Sequence, residues 1–458
     1  MTVPKRFRII YIVFLIPFAL AFLSWLYFPA VAKWIMANLF GYGGVEQAAN
    51  PVWYWIIRFF YSWYTFVAIG IAGVWVVAAV FARSRRVKPK REFYPMVSFV
   101  VPAYNQEKNV ARCVTSLFRC AEKYGGNCEV IVVDDGSSDF TYEVAWSAVQ
   151  LGRRVNPRVR GKVVRHSANL GKIEALRTGL NPALGGLVAI VDGDSEWSPE
   201  TLVELADYKL SNGKRAVTGY VHPNGEGSEG NLIVRLQRLE YSQGLGVGRC
   251  AQSLGDNVLV VSGAIGLYDA DLLREVLTER NIRSVTEDLE ITLEMHKKGA
   301  KVGYVSFVQS ATVAPMGLGA LWRQRLRWFT GWLYNTLGIH RDLMTKRSWL
   351  TAILWYCYVF EYAGAFVDLA AVVAFPFLWW FAPDPALFGL NLLVFVPYGL
   401  LIGVISQAIA LRFAYGSYQY GSLLFYTPLY PVLRLVNVFA RSRSVLSYLM
   451  GNNGKWHS

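Results

Sequence analysis

The sequence predicts an α/β domain with a mostly parallel sheet, inserted between N- and C-terminal transmembrane helices. Three observations predict it. Of 458 residues, 54% are hydrophobic and 17% charged, a balance too apolar for an ordinary soluble enzyme. The net charge of +14 lies entirely on the flanks: residues 1–91 and 346–458 carry 18 Lys/Arg against four acids, whereas residues 92–345 carry 28 of each sign. Between the flanks, short Val- and Ile-rich runs alternate with helix-like stretches. A nucleic-acid binder carries its positive charge on the folded domain. Here the excess borders apolar segments, which points to membrane lipids and to no nucleic acid.

Residues 1–91 hold two expected spans. Residues 9–28 follow Lys5, Arg6 and Arg8, and residues 59–82 precede Arg83, Arg85, Arg86, Lys88, Lys90 and Arg91. Both runs are long enough to cross a bilayer. Basic residues gather on the cytosolic side, so both of those ends, and the middle of the chain with them, are expected in the cytosol. Ala30-Val31-Ala32 has the small residues of a cleavage site, but the run before it is longer than the apolar core of a signal peptide. Residues 318–345 read as an interfacial amphipathic helix. Residues 346–458 read as a membrane region with spans at 351–381 and 386–411. A further stretch, 420–440, is interrupted by Pro428, Pro431 and Arg434 and is left open. Five cysteines without CxxC spacing are expected as buried thiols.

Residues 92–317 supply the soluble domain. Runs at 97–101, 130–134, 162–166, 187–192 and 216–221 read as strands, with helical stretches between most of them, which gives a sheet covered on both faces. Ligands of such sheets sit beyond the carboxyl ends of the strands. Two runs end there in acids, Asp134-Asp135-Gly136-Ser137 and Asp192-Gly193-Asp194. A tight Asp-Gly turn accounts for either alone; two at strand ends favour a ligand site. Asp192 and Asp194, one residue apart, suit Mg2+ or Mn2+, which prefer oxygen ligands and share phosphate oxygens with a substrate. Lys172 lies on a glycine turn opening a helix, where it can meet a diphosphate or simply face solvent. Thr286 is placed to cap a helix whose N-terminus Glu287 and Asp288 would favour; near a metal–diphosphate site Asp288 becomes a general-base candidate. In Gln324-Arg325-Leu326-Arg327-Trp328, alternating basic and aromatic residues suit a helix at headgroup level. They equally suit Arg327 on a leaving diphosphate and Trp328 beneath a sugar ring.

Seven motifs occur in order: VPAYNQE (101–107), VVDDGSSD (132–139), NLGK (169–172), VDGDS (191–195), VSGA (261–264), TED (286–288) and QRLRW (324–328). Over about residues 95–335 the chain resembles the processive family 2 glycosyltransferases, the group of poly-N-acetylglucosamine, hyaluronan, chitin-oligosaccharide and cellulose synthases. The resemblance implies a cytosolic, Rossmann-like glycosyltransferase-A domain within a multi-pass plasma-membrane protein. It implies an inverting synthase that moves sugar from a UDP-sugar donor, N-acetylglucosamine before glucose, onto a growing β-linked glycan acceptor. Export through the membrane part follows, with accessory export subunits as further partners. The resemblance also implies roles. Tyr104, Glu107 and Asp135 hold the uridine. Asp192 binds the ribose-diphosphate and, with Asp194, the metal. Lys172 and Arg327 meet the diphosphate, and Asp288 is the base. Ser262, Gly263 and Glu287 line the acceptor pocket, with Gln324 and Trp328 at its floor. A non-processive relative adding one sugar to a lipid, as ceramide glucosyltransferases do, shares most of these motifs. A transporter or structural membrane protein, from another class, would use Glu361 and Asp368 along its path, although those acids can equally pair with Arg412 or Arg434.

Overall fold

The computed structural model describes residues 5–40, 51–86, 94–225, 227–279, 282, 284–380, 385–416 and 420–451. Lys88, Lys90 and Arg91 of the expected basic run lie outside the described residues. All five expected strands form: Val97–Ala103 (β1), Cys128–Asp134 (β2), Arg160–Arg165 (β3), Leu187–Ile190 (β4) and Ala216–Asn224 (β6). Three more join them, Ser195–Trp197 (β5), Gly266–Asp269 (β7) and Val302–Val313 (β8). The order across the sheet is β3-β2-β1-β4-β7-β6-β8-β5. Strands β3, β2, β1 and β4 run parallel, with Val100 opposite Ile131 and Ala103 opposite Asp134. β6 pairs parallel with β8, whereas β7 runs antiparallel to both β4 and β6 and β5 antiparallel to β8, so four of the seven strand pairs are parallel and the antiparallel ones gather at one side of a mixed sheet. Every residue of β1 and β2 is buried, which is why their sequences are predominantly apolar, broken at Ser98, Glu129 and Asp134, and do not alternate.

The domain's helices are Val110–Tyr124 (α4), Thr141–Val155 (α5), Lys172–Leu180 (α6), Thr201–Ser211 (α7), Leu232–Tyr241 (α8), Arg249–Gln252 (α9), Ala270–Glu279 (α10) and Glu287–Lys297 (α11). Before them come Lys5–Phe40 (α1), Pro51–Thr65 (α2) and Ala72–Ala82 (α3). After them come Leu318–Leu333 (α12), Trp349–Tyr356 (α13), Gly364–Trp380 (α14), Pro385–Tyr415 (α15) and Tyr430–Leu449 (α16). The expected single helix over 318–345 stops at Leu333, where a π-turn (Tyr334–Ile339) and a 3-10 turn (Arg341–Met344) follow.

Five described segments are long and apolar enough to cross a membrane: Leu15–Ile35, Arg58–Ala82, Trp349–Phe377, Leu392–Tyr415 and Gly421–Leu449. Polar side chains join them. Trp25 Nε1 donates to Ser62 Oγ at 2.8 Å, and Tyr61 donates to the Ser24 carbonyl at 2.8 Å. Asp368 receives Arg434 at 2.9 and 3.0 Å and the Tyr64 hydroxyl at 2.9 Å. Glu361 receives Arg441 at 2.9 Å, and Arg412 bonds the Gly416 carbonyl instead. These two acids therefore act as packing partners between helices. The five cysteines are free and buried.

Candidate active site

The site is built at the carboxyl ends of β1, β2 and β4. Where β2 ends, Asp134 accepts from Ser137 N at 3.1 Å and pairs with Arg165 at 3.1 Å. Asp135, also buried, fastens the next loop: it accepts from His166 Nδ1 at 2.7 Å, Leu170 N at 2.9 Å and Gly171 N at 2.8 Å, so both of its oxygens position the turn that leads to Lys172. His166, whose Nε2 lies 2.9 Å from Thr178 Oγ1, completes that clasp and was not foreseen.

The clasped loop delivers Lys172 at the start of α6. Its Nζ lies 2.6 Å from Asp192 Oδ1 and 2.7 Å from Glu287 Oε1. A lysine read as a diphosphate contact or a solvated side chain thus bridges two acids from different elements. Burial works against its charge, but Asp192 and Glu287 hold its pKa well above the ordinary value. Gly263 completes the contact: β7's antiparallel return sets the VSGA turn beside β4, with Asp192 N donating to Gly263 O at 2.9 Å. A Cβ on Gly263 would stand 2.8 Å from Lys172 Nζ and 2.9 Å from both Asp192 carboxylate oxygens. Ser262 Oγ accepts from Ala264 N at 3.3 Å within the same turn.

The remaining acids differ in state. Asp194 is pushed up to about 6, first by burial and then by Asp192. Asp288 is pushed up to about 6, first by burial and then by Glu287. For Glu287, burial is outweighed by Lys172 and Arg327, which hold it below the usual range. The two adjacent acids are thus driven apart, Asp288 upward and Glu287 downward. Arg249, buried near Asp288 and itself pushed down by burial, was missed because nothing in RCAQ distinguishes it from a surface arginine. Thr286 does not cap α11 by its side chain; its hydroxyl pairs with Ser284 Oγ at 3.1 Å and accepts from Asn335 Nδ2 at 3.0 Å. Gly331 of α12 is the reason it can: a Cβ there would sit 2.4 Å from Thr286 Oγ1.

Among the described residues no group of three or more His, Cys, Asp or Glu is arranged to hold a metal ion. The pair Asp192 and Asp194 nevertheless fits Mg2+ or Mn2+. Both are oxygen donors, and the Asp194 carboxyl, raised first by burial and then by Asp192, is one whose ionised form a divalent cation would favour. A cavity of about 420 Å3 opens beside Asp194, bounded by Arg112, Glu196, Asn224 and Thr312.

The other expected residues stand further out. Tyr104 is exposed, and Glu107 ties its turn to β2's loop by accepting from Phe140 N at 3.2 Å. On α12, Arg327 is exposed and its charge reaches Glu287, but Gln324 and Trp328 are held by their neighbour Arg325. Arg325 is fully buried: it donates to Gln324 Oε1 at 2.9 Å, Glu240 Oε2 at 2.5 Å and Asn437 Oδ1 at 3.1 Å, and lies 4.4 Å over the Trp328 ring. Sequence reasoning passed over it because a buried arginine is rare.

Residues 98–277 match the model of glycosyl transferase family 2. A poly-β-1,6-N-acetyl-D-glucosamine synthase of Staphylococcus epidermidis is 26% identical over 59% of this chain and 65% of its own length. An N-acetylglucosaminyltransferase of Mesorhizobium japonicum is 27% identical over 57% of this chain and 62% of its own length. The match thus covers just under two thirds of these relatives. In fold, the chain is similar to a mannosyltransferase of Pyrobaculum calidifontis solved with GDP-mannose and Mn2+, at a TM-score of 0.58 and 18% identity over 84% of this chain and 96% of that one. The match takes in β1 to β7 with Asp135, Asp192 and Asp194, while Glu287, Asp288 and β8 lie beyond it, and over residues 98–277 the chain is similar to the family 2 glycosyl transferases.

Proposed function

We propose that the protein is a membrane-integrated, inverting polysaccharide synthase that transfers N-acetylglucosamine from UDP-N-acetylglucosamine to a growing β-linked glycan on the cytosolic face of the plasma membrane. The observation that carries this reading is the convergence of Asp192, Glu287 and Gly263 on Lys172, with Asp194 and Asp288 alongside. The relatives named above supply the preference for N-acetylglucosamine over glucose. In the reaction Asp288 accepts the proton of the acceptor hydroxyl as that oxygen attacks the anomeric carbon. The bond to UDP breaks on the opposite face, so an α-linked donor gives a β-linked product. Lys172 and Arg327 meet the departing diphosphate; for Lys172 this means leaving Asp192 and Glu287 when the donor arrives. A divalent cation held by Asp192 and Asp194 supplies further neutralisation of the diphosphate when bound. Tyr104, Glu107 and Asp135 order the uridine side, and Ser262, Gly263, Gln324 and Trp328 the acceptor side.

The topology belongs to the same proposal. Four spans, α1, α2 with α3, α13 with α14, and α15, surround the glycan path, while α12 and α16 lie along the cytosolic surface. Incubating the purified full chain with UDP-N-acetylglucosamine and UDP-glucose, then following UDP release and product length, tests the reading. Long β-linked polymer from UDP-N-acetylglucosamine is expected. A product stopped at one sugar on a lipid would replace it with the non-processive reading, and absence of UDP release from either donor would sink both.

A further inference from the structure

The cytosolic domain and the membrane region enclose a second cavity, of about 710 Å3, that the proposed reaction does not use. Two arginines of α8 line it. Arg238 is buried, donates from Nε to the Pro223 carbonyl at 3.0 Å and from Nη2 to Asn224 Oδ1 at 3.5 Å, and lies 6.0 Å from the Tyr420 ring. Arg235 donates from Nε to the Glu229 carbonyl at 3.0 Å, bonds the Tyr426 hydroxyl through Nη1 and lies 4.9 Å over that ring. Among the described residues, their hydrogen-bond partners are neutral oxygens. His222 on the cavity wall adds no charge near neutral pH, because burial and Arg238 push it down to about 4. Glu229 lines the cavity as well, so two cations face one carboxylate from the described wall. Two guanidinium groups on one cavity wall with a single carboxylate leave a net positive charge that an anion would complete.

The position of the cavity says which anion. His222 Nδ1 is 2.8 Å from the hydroxyl of Tyr415, the last residue of α15, and the Tyr415 and Tyr420 rings are 4.1 Å apart. The cavity therefore opens where an apolar helix meets the cytosolic domain, the level at which a bilayer presents its phosphates. The wall segment also exposes apolar side chains: Phe425 is 86% exposed, and Leu429 and Val432 just beyond it are exposed as well. Such groups suit acyl chains and not water.

We propose that this cavity binds the phosphate ester of an anionic membrane lipid at the cytosolic face, with Arg235 and Arg238 as donors and Tyr420 and Tyr426 as walls. The inference rests on the membrane reading but not on the sugar chemistry. Carbonate extraction of membranes tests the first separately, and UDP release tests the second. The experiment measures the thermal midpoint of the full chain in detergent with added phosphatidylglycerol, phosphatidylcholine or glycerol 3-phosphate. Phosphatidylglycerol is expected to raise the wild-type midpoint above that in phosphatidylcholine. Arg235→Gln and Arg238→Gln should each lose at least half of that rise, while the exposed Arg443→Gln keeps it. If Arg238→Gln does not fold, Arg235→Gln carries the comparison. No rise with phosphatidylglycerol, or an undiminished rise in Arg235→Gln, would overturn the site. Equal protection by glycerol 3-phosphate would overturn the lipid as its source and leave a soluble phosphate ester in its place.

Discussion

Asp288 and Gly263 make opposite demands on their surroundings, and each gives a prediction. Asp288 has its pKa pushed up to about 6 by burial and by Glu287, so it is protonated below that pH and cannot accept the acceptor's proton. On the acid side, kcat/KM should therefore fall roughly tenfold per pH unit below about pH 6. Asp288→Asn should keep donor binding and lose ~10²- to 10⁴-fold in transfer at every pH. The same shift has a stability sign. The folded value lies above the ordinary carboxylate value of about 4, so this group favours the fold most below that value and its contribution fades as pH rises through about 6. Comparing denaturation midpoints of wild type and Asp288→Asn between pH 4 and 7 checks it; a wild type gaining stability from this group as pH rises would contradict the assignment. Gly263→Ala adds a methyl where Lys172 Nζ and the Asp192 carboxylate already stand 2.8–2.9 Å away. Donor binding, read by UDP titration, should weaken at least tenfold while the fold melts near its usual temperature. The acids were legible in sequence because carboxylates at strand ends demand a reason. Their partners were not: Arg249, Arg325 and His166 come from elements distant in sequence, and only the fold assembles them.

At the scale of elements, α8, α12 and α16 are joined through Arg325. Removing this guanidinium takes the donor from Glu240 Oε2 and Asn437 Oδ1 and leaves Glu240 with the neutral Asn437 amide in place of a cation; breaking such a buried pair costs about 3–5 kcal/mol. It also removes the cation that lies over the Trp328 ring. Arg325→Leu should therefore unfold at lower denaturant and, in the folded fraction, slow elongation more than UDP release, because Trp328 would orient the acceptor and not the donor. Trp328→Ala should show the same split without the loss of stability. Equal falls in polymer and UDP release for Trp328→Ala would reduce it to an anchor of α12. The strands bear out a related point about legibility. β1, β2 and β4 were readable because full burial demands predominantly apolar runs. β5 and β7 have only three and four residues, and β8 is interrupted by Ser306, Gln309 and Ser310, so neither length nor alternation announced them.

For the whole molecule, the open question in the sequence was the stretch from 420 onward, apolar enough to span yet interrupted by prolines and arginines. Its contacts favour the surface. The segments flanking α12 are fastened to the sheet domain: Gln237 Nε2 donates to the Pro315 carbonyl at 2.7 Å, and Asn335 Nδ2 to Ser284 Oγ at 2.8 Å. α16 then follows α12 along its length. Leu433 shares an apolar cluster with Leu321, Leu236 and Leu239; Asn437 bonds Arg325 and Glu240; and Ser444 lies 3.2 Å from Thr330. From Leu433 to Ser444 a helix rises about 16 Å, half the thickness of a bilayer core, in contact with α12 on one side while Arg434 and Arg441 pair with Asp368 and Glu361 of the Trp349–Phe377 segment on the other. A crossing helix would part from α12 within its first turns and carry Arg441, Ser442, Arg443 and Ser444 into or beyond the lipid. We propose on these contacts that α16 lies on the surface, which makes the number of crossings among the described residues even and sets Gly451 in the same compartment as residues 94–313. Green fluorescent protein fused after Gly451 should fluoresce, and alkaline phosphatase at the same position should stay inactive. The reverse pair of results would make α16 a fifth crossing and detach its contacts with α12 from the cytosolic face.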